Sequence, residues 1–345
     1  MSKLVLDIQD RRPYWAPPGW VAAEITAAVP SDWSVEAMTS PAEGTGDGQA
    51  GVAAQVLEAV RDAEVYIGFG ISAAVLQAGP KLRWVHSGSA GVGGSLSAEM
   101  LKRQDLVFTN SAGVHGPPIA EAILGMLFYF FRGFDIAVQA AHHKQWSAPT
   151  YYGGRYEFPE FSQARIGILG LGGIGIELGR RAQALGATVV GLKRTPPTTN
   201  IPIPELELHV GLERLPEVLT TCHAVVTTLP DTHETRGLLD GPALSSMRRG
   251  AVLINVARGS LIDETALAEL LRSGHLRGAG LDVFAEEPLP ASSALWELPN
   301  VLLTPHVSPL STLFWRRQTD LIQDNLHRYL RGASLCNVVN RSAGY

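Results

Sequence analysis

Six residues, Gly170-Leu171-Gly172-Gly173-Ile174-Gly175, constrain the fold of this chain more than any others. They follow an apolar run at 165–169 and open a helical pattern at 174–185, which a second apolar run at 188–192 succeeds. Strand, glycine turn, helix and strand in that order make one βαβ unit and commit the chain to a parallel sheet. The glycines permit a tight turn and close backbone approach, and the start of the helix favours the negative charge of a pyrophosphate. A dinucleotide site is expected.

The same alternation runs through the chain. Short apolar runs at 3–8, 65–67, 83–86 and 106–109 read as strands with helical stretches between them, such as 51–61, and 43–48 reads as a loop. A turn-rich segment with Gly113, Gly116, Pro117 and Pro118 leads into an apolar helix at 119–131. The stretch 142–161 has no clean period and reads as an excursion between elements. Further strands are expected at 224–228, 251–256, 279–283 and 301–303, with a helix at 264–273 behind the capping acid Asp263. A last helix at 312–330 stops at Arg331-Gly332. At 345 residues the chain exceeds what one core fills, so two domains are expected.

Composition removes several classes of partner. A net charge of −5 offers no basic surface for nucleic acid or anionic lipid. Cys222 and Cys336 are the only cysteines, too few for a disulfide framework and without metal or redox spacing, so a reducing, cytoplasmic setting is expected. No secretory signal pattern opens the chain, and the apolar stretch 119–131 contains Glu121 and falls short of the roughly 20 residues a membrane span needs.

The end of the strand after the glycine turn selects the cofactor. An acid there would accept from the ribose hydroxyl of NAD, whereas a 2′-phosphate is drawn to Arg or Lys. This chain has Lys193 and Arg194, so NADP(H) is expected over NAD(H).

Three motifs then carry a resemblance: Asn255-Val256-Ala257-Arg258-Gly259-Ser260-Leu261-Ile262-Asp263, Gly280-Leu281-Asp282-Val283-Phe284-Ala285-Glu286-Glu287-Pro288, and Thr304-Pro305-His306. In that order they resemble the D-isomer-specific 2-hydroxyacid dehydrogenases, over about residues 84–340. The resemblance implies an α/β fold of two doubly wound parallel-sheet domains, a Rossmann cofactor domain (114–308) inserted in a flavodoxin-like substrate domain (1–113 and 309–345). Two crossings imply a hinge and closure over the cofactor. It also implies a homodimer in which the apolar helix and the excursion wrap the partner, with Trp146 an interface anchor or an ordinary core residue.

For the chemistry, the resemblance makes His306 the acid/base, Glu287 its carboxylate partner and Arg258 the cation that binds the substrate carboxylate and polarises its ketone. Glu287 in place of Gln argues for a keto or hydroxy acid. The loop after the strand at 83–86 resembles one whose amides, here Ala90, Gly91 and Val92, grip the substrate acid, with Gly93 where many members have Asp. Carried-over cofactor contacts are Gly170, Gly172, Gly173, Ile174 and Gly175 at the pyrophosphate. Leu229, Pro230 and Thr235 follow along the ribose and phosphate path, and Ala257 with Asp282 lies at the carboxamide. Tyr14, Trp15, Trp315 and Arg316 are candidates for the substrate side; Cys222 and His223 receive no role. The activity implied is reduction of a small 2-oxo acid of the glyoxylate or hydroxypyruvate type to the D-2-hydroxy acid. Two alternatives stand beside it: a dinucleotide-sensing corepressor-like binding protein, and a dehydrogenase for a bulkier 2-oxo acid. Phosphoglycerate dehydrogenase is less expected because no regulatory domain follows Gly332.

Overall fold

The computed structural model describes residues 2–41, 52–154, 156–342 and 344. It separates into two compact units, Met1–Val114 with Ser311–Tyr345, and His115–Leu310. The expected loop at 43–48 and the first residue of the expected helix at 51–61 lie outside the described residues.

The first unit holds β1 (Lys3–Asp7), β2 (Ser34–Ala37), β3 (Val65–Gly68), β4 (Trp84–Ser87) and β5 (Val107–Thr109). All pair in parallel in the order β2-β1-β3-β4-β5, the flavodoxin-like arrangement whose direction reverses between β1 and β3. The two-residue period of β1 divides its side chains between two cores: Val5 packs with Val85 and Phe108, Leu4 and Leu6 with Trp84 and Ile67. The second core is closed by the helix Phe314–Leu330, which brings Phe314, Trp315, Ile322 and Leu326 back to β1 from the far end of the chain. The residues after that helix extend the sheet edge, with Val338 bridged antiparallel to Thr109 and Val339 N–H donating to Phe108 O at 2.8 Å.

The second unit holds β6 (Arg165–Leu169), β7 (Thr188–Lys193), β8 (Glu207–Val210), β9 (Ala224–Thr227), β10 (Val252–Asn255), β11 (Gly278–Leu281) and β12 (Val301–Leu303). Again all are parallel, in the order β12-β11-β10-β9-β6-β7-β8, with the reversal between β6 and β9. Central strands are buried at every position because helices cover both faces. In such sheets ligands bind outside the carboxyl ends at the reversal. The glycine turn follows β6 there.

Several expectations are corrected. The edge strands β2 and β8 carry no apolar run and were not anticipated; Ser34–Ala37 and Glu207–Val210 are at most half-buried. The excursion is partly helical, with a helix at Ala148–Tyr152, and the unassigned stretch before it holds another at Phe134–His142. The helix expected at 51–61 is Ala54–Ala59 followed by a 3₁₀ turn, Val60–Asp62. Asp282, expected inside a strand, lies one residue past the end of β11. Trp146 is 92% exposed, which removes the core reading.

Helix Phe134–His142 is fixed by a buried ion pair. Both nitrogens of the Arg277 fork donate to Asp135 at 2.7 Å, and the guanidinium lies 4.4 Å from the Tyr156 ring centre. That pair joins the helix to the start of β11 across 142 residues of sequence.

Candidate active site

At the reversal point of the second unit the turn has the shape a pyrophosphate requires. Gly170 sits at φ +100°, where an L side chain is strained, and a Cβ on Gly175 would come within 2.1 Å of the Gly170 carbonyl oxygen. The helix Gly173–Ala184 can therefore begin directly against the turn. A Cβ on Gly172 would meet nothing within 4 Å, and no side chain caps this helix. The uncapped helix start, with open space beside Gly172, fits a dinucleotide phosphate.

The flanking residues are positioned by the same unit. Thr228 Oγ1 donates to Gly170 O at 2.6 Å and ties the turn to the end of β9. Leu229 is buried, and the Thr235 hydroxyl is spent on Pro230 O at 2.7 Å, so Thr235 shapes the segment between them. Lys193 is the last residue of β7, half-buried, with no ion pair among the described residues; Arg194 is exposed and paired with Glu234. Glu234 was not anticipated from sequence.

The catalytic candidates come from the ends of β10, β11 and β12. His306 Nδ1 lies 2.8 Å from Glu287 Oε2, and the other carboxylate oxygen, Oε1, accepts from Phe284 N–H at 3.0 Å. One carboxylate thus both orders its own turn and orients the imidazole. His306 stands at φ +54° in a loop held by Asp282, which is fully buried. Asp282 Oδ1 accepts from Thr304 Oγ1 at 2.6 Å and Val307 N–H at 2.9 Å, and Oδ2 from Ser308 N–H at 3.0 Å. Three donors compensate the burial of that charge and fix the loop on either side of His306.

Arg258 follows β10, half-buried, with Nη1 donating to Ala257 O at 2.7 Å. Its turn is built by Asn255, a residue of the first motif to which sequence reasoning gave no role. Asn255 Oδ1 accepts from Thr227 Oγ1 at 2.6 Å and from Ala257 N–H at 3.1 Å, and Nδ2 donates to Arg258 O at 3.0 Å. The next residue explains why two motifs come together. A Cβ on Gly259 would lie 1.8 Å from the Phe284 carbonyl carbon, so the Arg258 turn presses backbone to backbone on the segment that carries Glu287. His306 and Glu287 are joined by a hydrogen bond, and Arg258 enters through this contact.

In the first unit the segment after β4 keeps its carbonyls occupied and its amides open. Ser111 N–H donates to Ser89 O at 3.2 Å and Asn110 Nδ2 to Ala90 O at 2.8 Å. No acceptor faces the Ala90, Gly91 or Val92 N–H groups among the described residues. Such a run has amides to offer an anion.

Arg316 is engaged by Glu24 and Asp320 above Trp20, and Tyr14 is 42% exposed. Trp315 is buried edge-on to Phe69. Burial pushes the Cys222 thiol up to about 11, and His223 Nδ1 accepts from Arg165 N–H at 3.0 Å. Both are structural. Among the described residues no cluster could hold a metal ion, and no helix is long and apolar enough to cross a membrane.

Comparison with known proteins agrees with this geometry. Residues 124–308 match the family described as D-isomer specific 2-hydroxyacid dehydrogenase, NAD binding domain. The chain is 34% identical to the (S)-sulfolactate dehydrogenase of Chromohalobacter salexigens over 73% of its length and 78% of that protein's. It is 31% identical to glyoxylate/hydroxypyruvate reductase A of Citrobacter koseri, covering 77% of this chain and 83% of that one. It spans about half the length of the D-3-phosphoglycerate dehydrogenases that it also matches. Among solved structures, a D-isomer specific 2-hydroxyacid dehydrogenase from Xanthobacter autotrophicus Py2, in complex with NADPH and MES, superposes with a TM-score of 0.77 at 28% identity, over 100% of this chain and 99% of that one. With two all-parallel sheets, one of them a Rossmann NAD-binding domain, the chain belongs to the D-isomer specific 2-hydroxyacid dehydrogenase family.

Proposed function

We propose that this protein reduces a small 2-oxo acid of the glyoxylate or hydroxypyruvate type to the D-2-hydroxy acid, using NADPH in preference to NADH. The observation that carries the reading is the His306–Glu287 pair at 2.8 Å, oriented by Phe284 N–H and lying in the unit that holds the glycine turn. When bound, the dinucleotide supplies the hydride. His306 supplies the proton to the ketone oxygen and recovers it in the reverse direction. Glu287 holds Nδ1 and leaves Nε2 as the nitrogen that meets substrate. Arg258 takes the carboxylate and polarises the carbonyl; within the first unit, the Ala90, Gly91 and Val92 amides are the donors offered to an acid group.

The cofactor would rest on Gly170, Gly172, Gly173, Ile174 and Gly175 at the pyrophosphate and on Leu229, Pro230 and Thr235 along the ribose path. Ala257 and Asp282 would meet the carboxamide. The preference for NADPH rests on Lys193, uncommitted at the end of β7, where an acid would otherwise face the ribose. The protein would act in the cytoplasm as a homodimer, with Phe134, Val138, Trp146 and Tyr152, all exposed, as the apolar surface a second copy covers.

A bulkier substrate is a second reading, favoured by the similarity to a sulfolactate dehydrogenase. The test is turnover of glyoxylate, hydroxypyruvate, pyruvate and 3-sulfopyruvate with each nicotinamide cofactor. Glyoxylate or hydroxypyruvate with NADPH should give the highest kcat/KM. A maximum at 3-sulfopyruvate selects the second reading, and no turnover of any acid leaves a binding protein.

A further inference from the structure

We propose that Asn110 and Ser111 are positioning residues for the substrate carboxylate, turning the Ala90 and Gly91 amides outward, and that Gln318 and His86 hold Ser111 to that task. The proposal rests on the reading of residues 90–92 as the carboxylate site given above. It assigns work to four side chains that no motif singled out.

The argument begins with the planarity of the peptide unit. In a trans peptide the carbonyl oxygen of one residue and the N–H of the next point in opposite directions. Whatever holds the carbonyl therefore aims the following amide. Ser111 N–H holds the Ser89 carbonyl at 3.2 Å, which aims the Ala90 N–H away from Ser111. Asn110 Nδ2 holds the Ala90 carbonyl at 2.8 Å, which aims the Gly91 N–H in the same manner. The Asn110 amide is itself fixed, because its Oδ1 accepts from Ala112 N–H at 3.1 Å. Its backbone is clamped by the end of the chain: Asn110 N–H donates to Asn337 O at 3.1 Å, and Asn337 Nδ2 returns to Asn110 O at 3.3 Å.

Ser111 adds a third grip through its hydroxyl, which donates to the Ser87 carbonyl at 2.9 Å. The hydroxyl has one proton, so its two other neighbours must donate to it. Gln318 Nε2 does so at 2.8 Å, and His86 Nε2 lies at 3.2 Å. On the far side of the ring, His86 Nδ1 lies 2.8 Å from Thr109 Oγ1, which already accepts from Trp84 Nε1 at 2.8 Å. One assignment satisfies Trp84, Thr109, His86 and Ser111, leaving Gln318 Nε2 beside the protonated His86 Nε2 at 3.4 Å as a second donor to Ser111. Trp84 donates to Thr109, Thr109 to His86 Nδ1, His86 Nε2–H to Ser111, and Ser111 to Ser87 O. The chain of bonds runs one way, from a donor-only indole to an acceptor-only carbonyl. His86, Ser111, Thr109 and Gln318 are all buried, and burial lowers the imidazole to about 3, consistent with the neutral ring this assignment needs.

Gln318 is closely surrounded. Its Oε1 is buried without a partner among the described residues, and a Cβ on Gly88 would lie 3.4 Å from its Nε2. An apolar side chain of that size would avoid the unpaired oxygen but could not donate to Ser111.

The test uses oxamate, an unreactive analogue of a 2-oxo acid, titrated calorimetrically into the NADPH-loaded protein, so that it needs no turnover. Asn110→Leu and Ser111→Ala should each weaken oxamate binding at least about fivefold, and Gln318→Met about threefold. Ser111→Thr, which keeps the hydroxyl, should stay within about twofold of wild type. The Kd for NADPH should not change, and KM for glyoxylate should rise by the same factors while kcat moves less. Because Gln318 acts through Ser111, the Ser111→Ala, Gln318→Met double variant should be no weaker than Ser111→Ala alone. Oxamate binding within twofold of wild type in folded Asn110→Leu and Ser111→Ala overturns the positioning role and leaves the carboxylate site standing. Should Asn110→Leu not fold, the contrast between Ser111→Ala and Ser111→Thr decides alone. A wild-type protein that binds no oxamate at all removes the carboxylate reading itself, and this proposal with it.

Discussion

Burial changes the ionisation of His86 strongly, and the change has a sign. Its folded pKa of about 3 lies below the unfolded value near 6.5, so between those limits the unfolded chain binds the extra proton. Stability must then fall as pH falls through that window, by about 2 kcal/mol from pH 7 to pH 5 for this group alone. Asp7 works in the opposite direction, since burial raises its carboxyl, so the measurement is a difference. Urea unfolding of wild type and His86→Gln at pH 7 and pH 5 should show the loss in wild type and a clearly smaller one in the variant. Equal losses would place the effect elsewhere. Legibility at this scale was uneven. His306, Glu287 and Arg258 were singled out because each lies in a motif, as was Asp282 for the carboxamide, whereas the part Asn255 plays comes from its hydrogen bond to another strand. Asn110 was invisible for the same reason, since its partners lie 20 and 227 residues away.

At the scale of elements, strands with an apolar run were legible, β5 and β12 at two of the sheet edges among them, whereas the edges β2 and β8 were not. Strands such as Ala224–Thr227 and Val252–Asn255 are covered on both faces and need unbroken apolar runs. The edges β2 and β8 have a neighbour on one side only, and their mixed composition carries no such signal. The helix Phe134–His142 was hidden because its anchor is an ion pair rather than a periodic apolar face. Arg277 and Asp135 are each 5% exposed at the side chain, so removing one partner strands a buried charge. Asp135→Ala should cost about 3–5 kcal/mol. The double change Asp135→Leu with Arg277→Met should recover most of it, because an apolar pair leaves no charge behind. Thermal unfolding of the three proteins checks this, and a single variant within about 1 kcal/mol of wild type would show that the charge is solvated or re-paired.

Each unit of the whole molecule carries its own sheet, its own core and its own reversal of strand order, and the glycine turn occupies the reversal of the larger sheet. That much followed from the alternation of strands and helices in the sequence. The surface did not, because exposure depends on the completed fold. Phe134, Val138, Trp146 and Tyr152 are 52%, 42%, 92% and 86% exposed on the two helices after the apolar one and the loop between them. A two-chain mass in sedimentation equilibrium is expected, with Trp146→Glu and Tyr152→Glu together shifting it toward one chain; a one-chain mass for wild type at micromolar concentration would contradict the homodimer. The central claim is that His306, oriented by Glu287, moves the proton while the dinucleotide is held independently by the glycine turn. It is tested most directly by steady-state reduction of glyoxylate with NADPH in wild type and His306→Gln, alongside the NADPH dissociation constant of each. The account predicts a fall in kcat on the order of 10²-fold or more with an unchanged dissociation constant. A His306→Gln protein that reduces glyoxylate at the wild-type rate would contradict it.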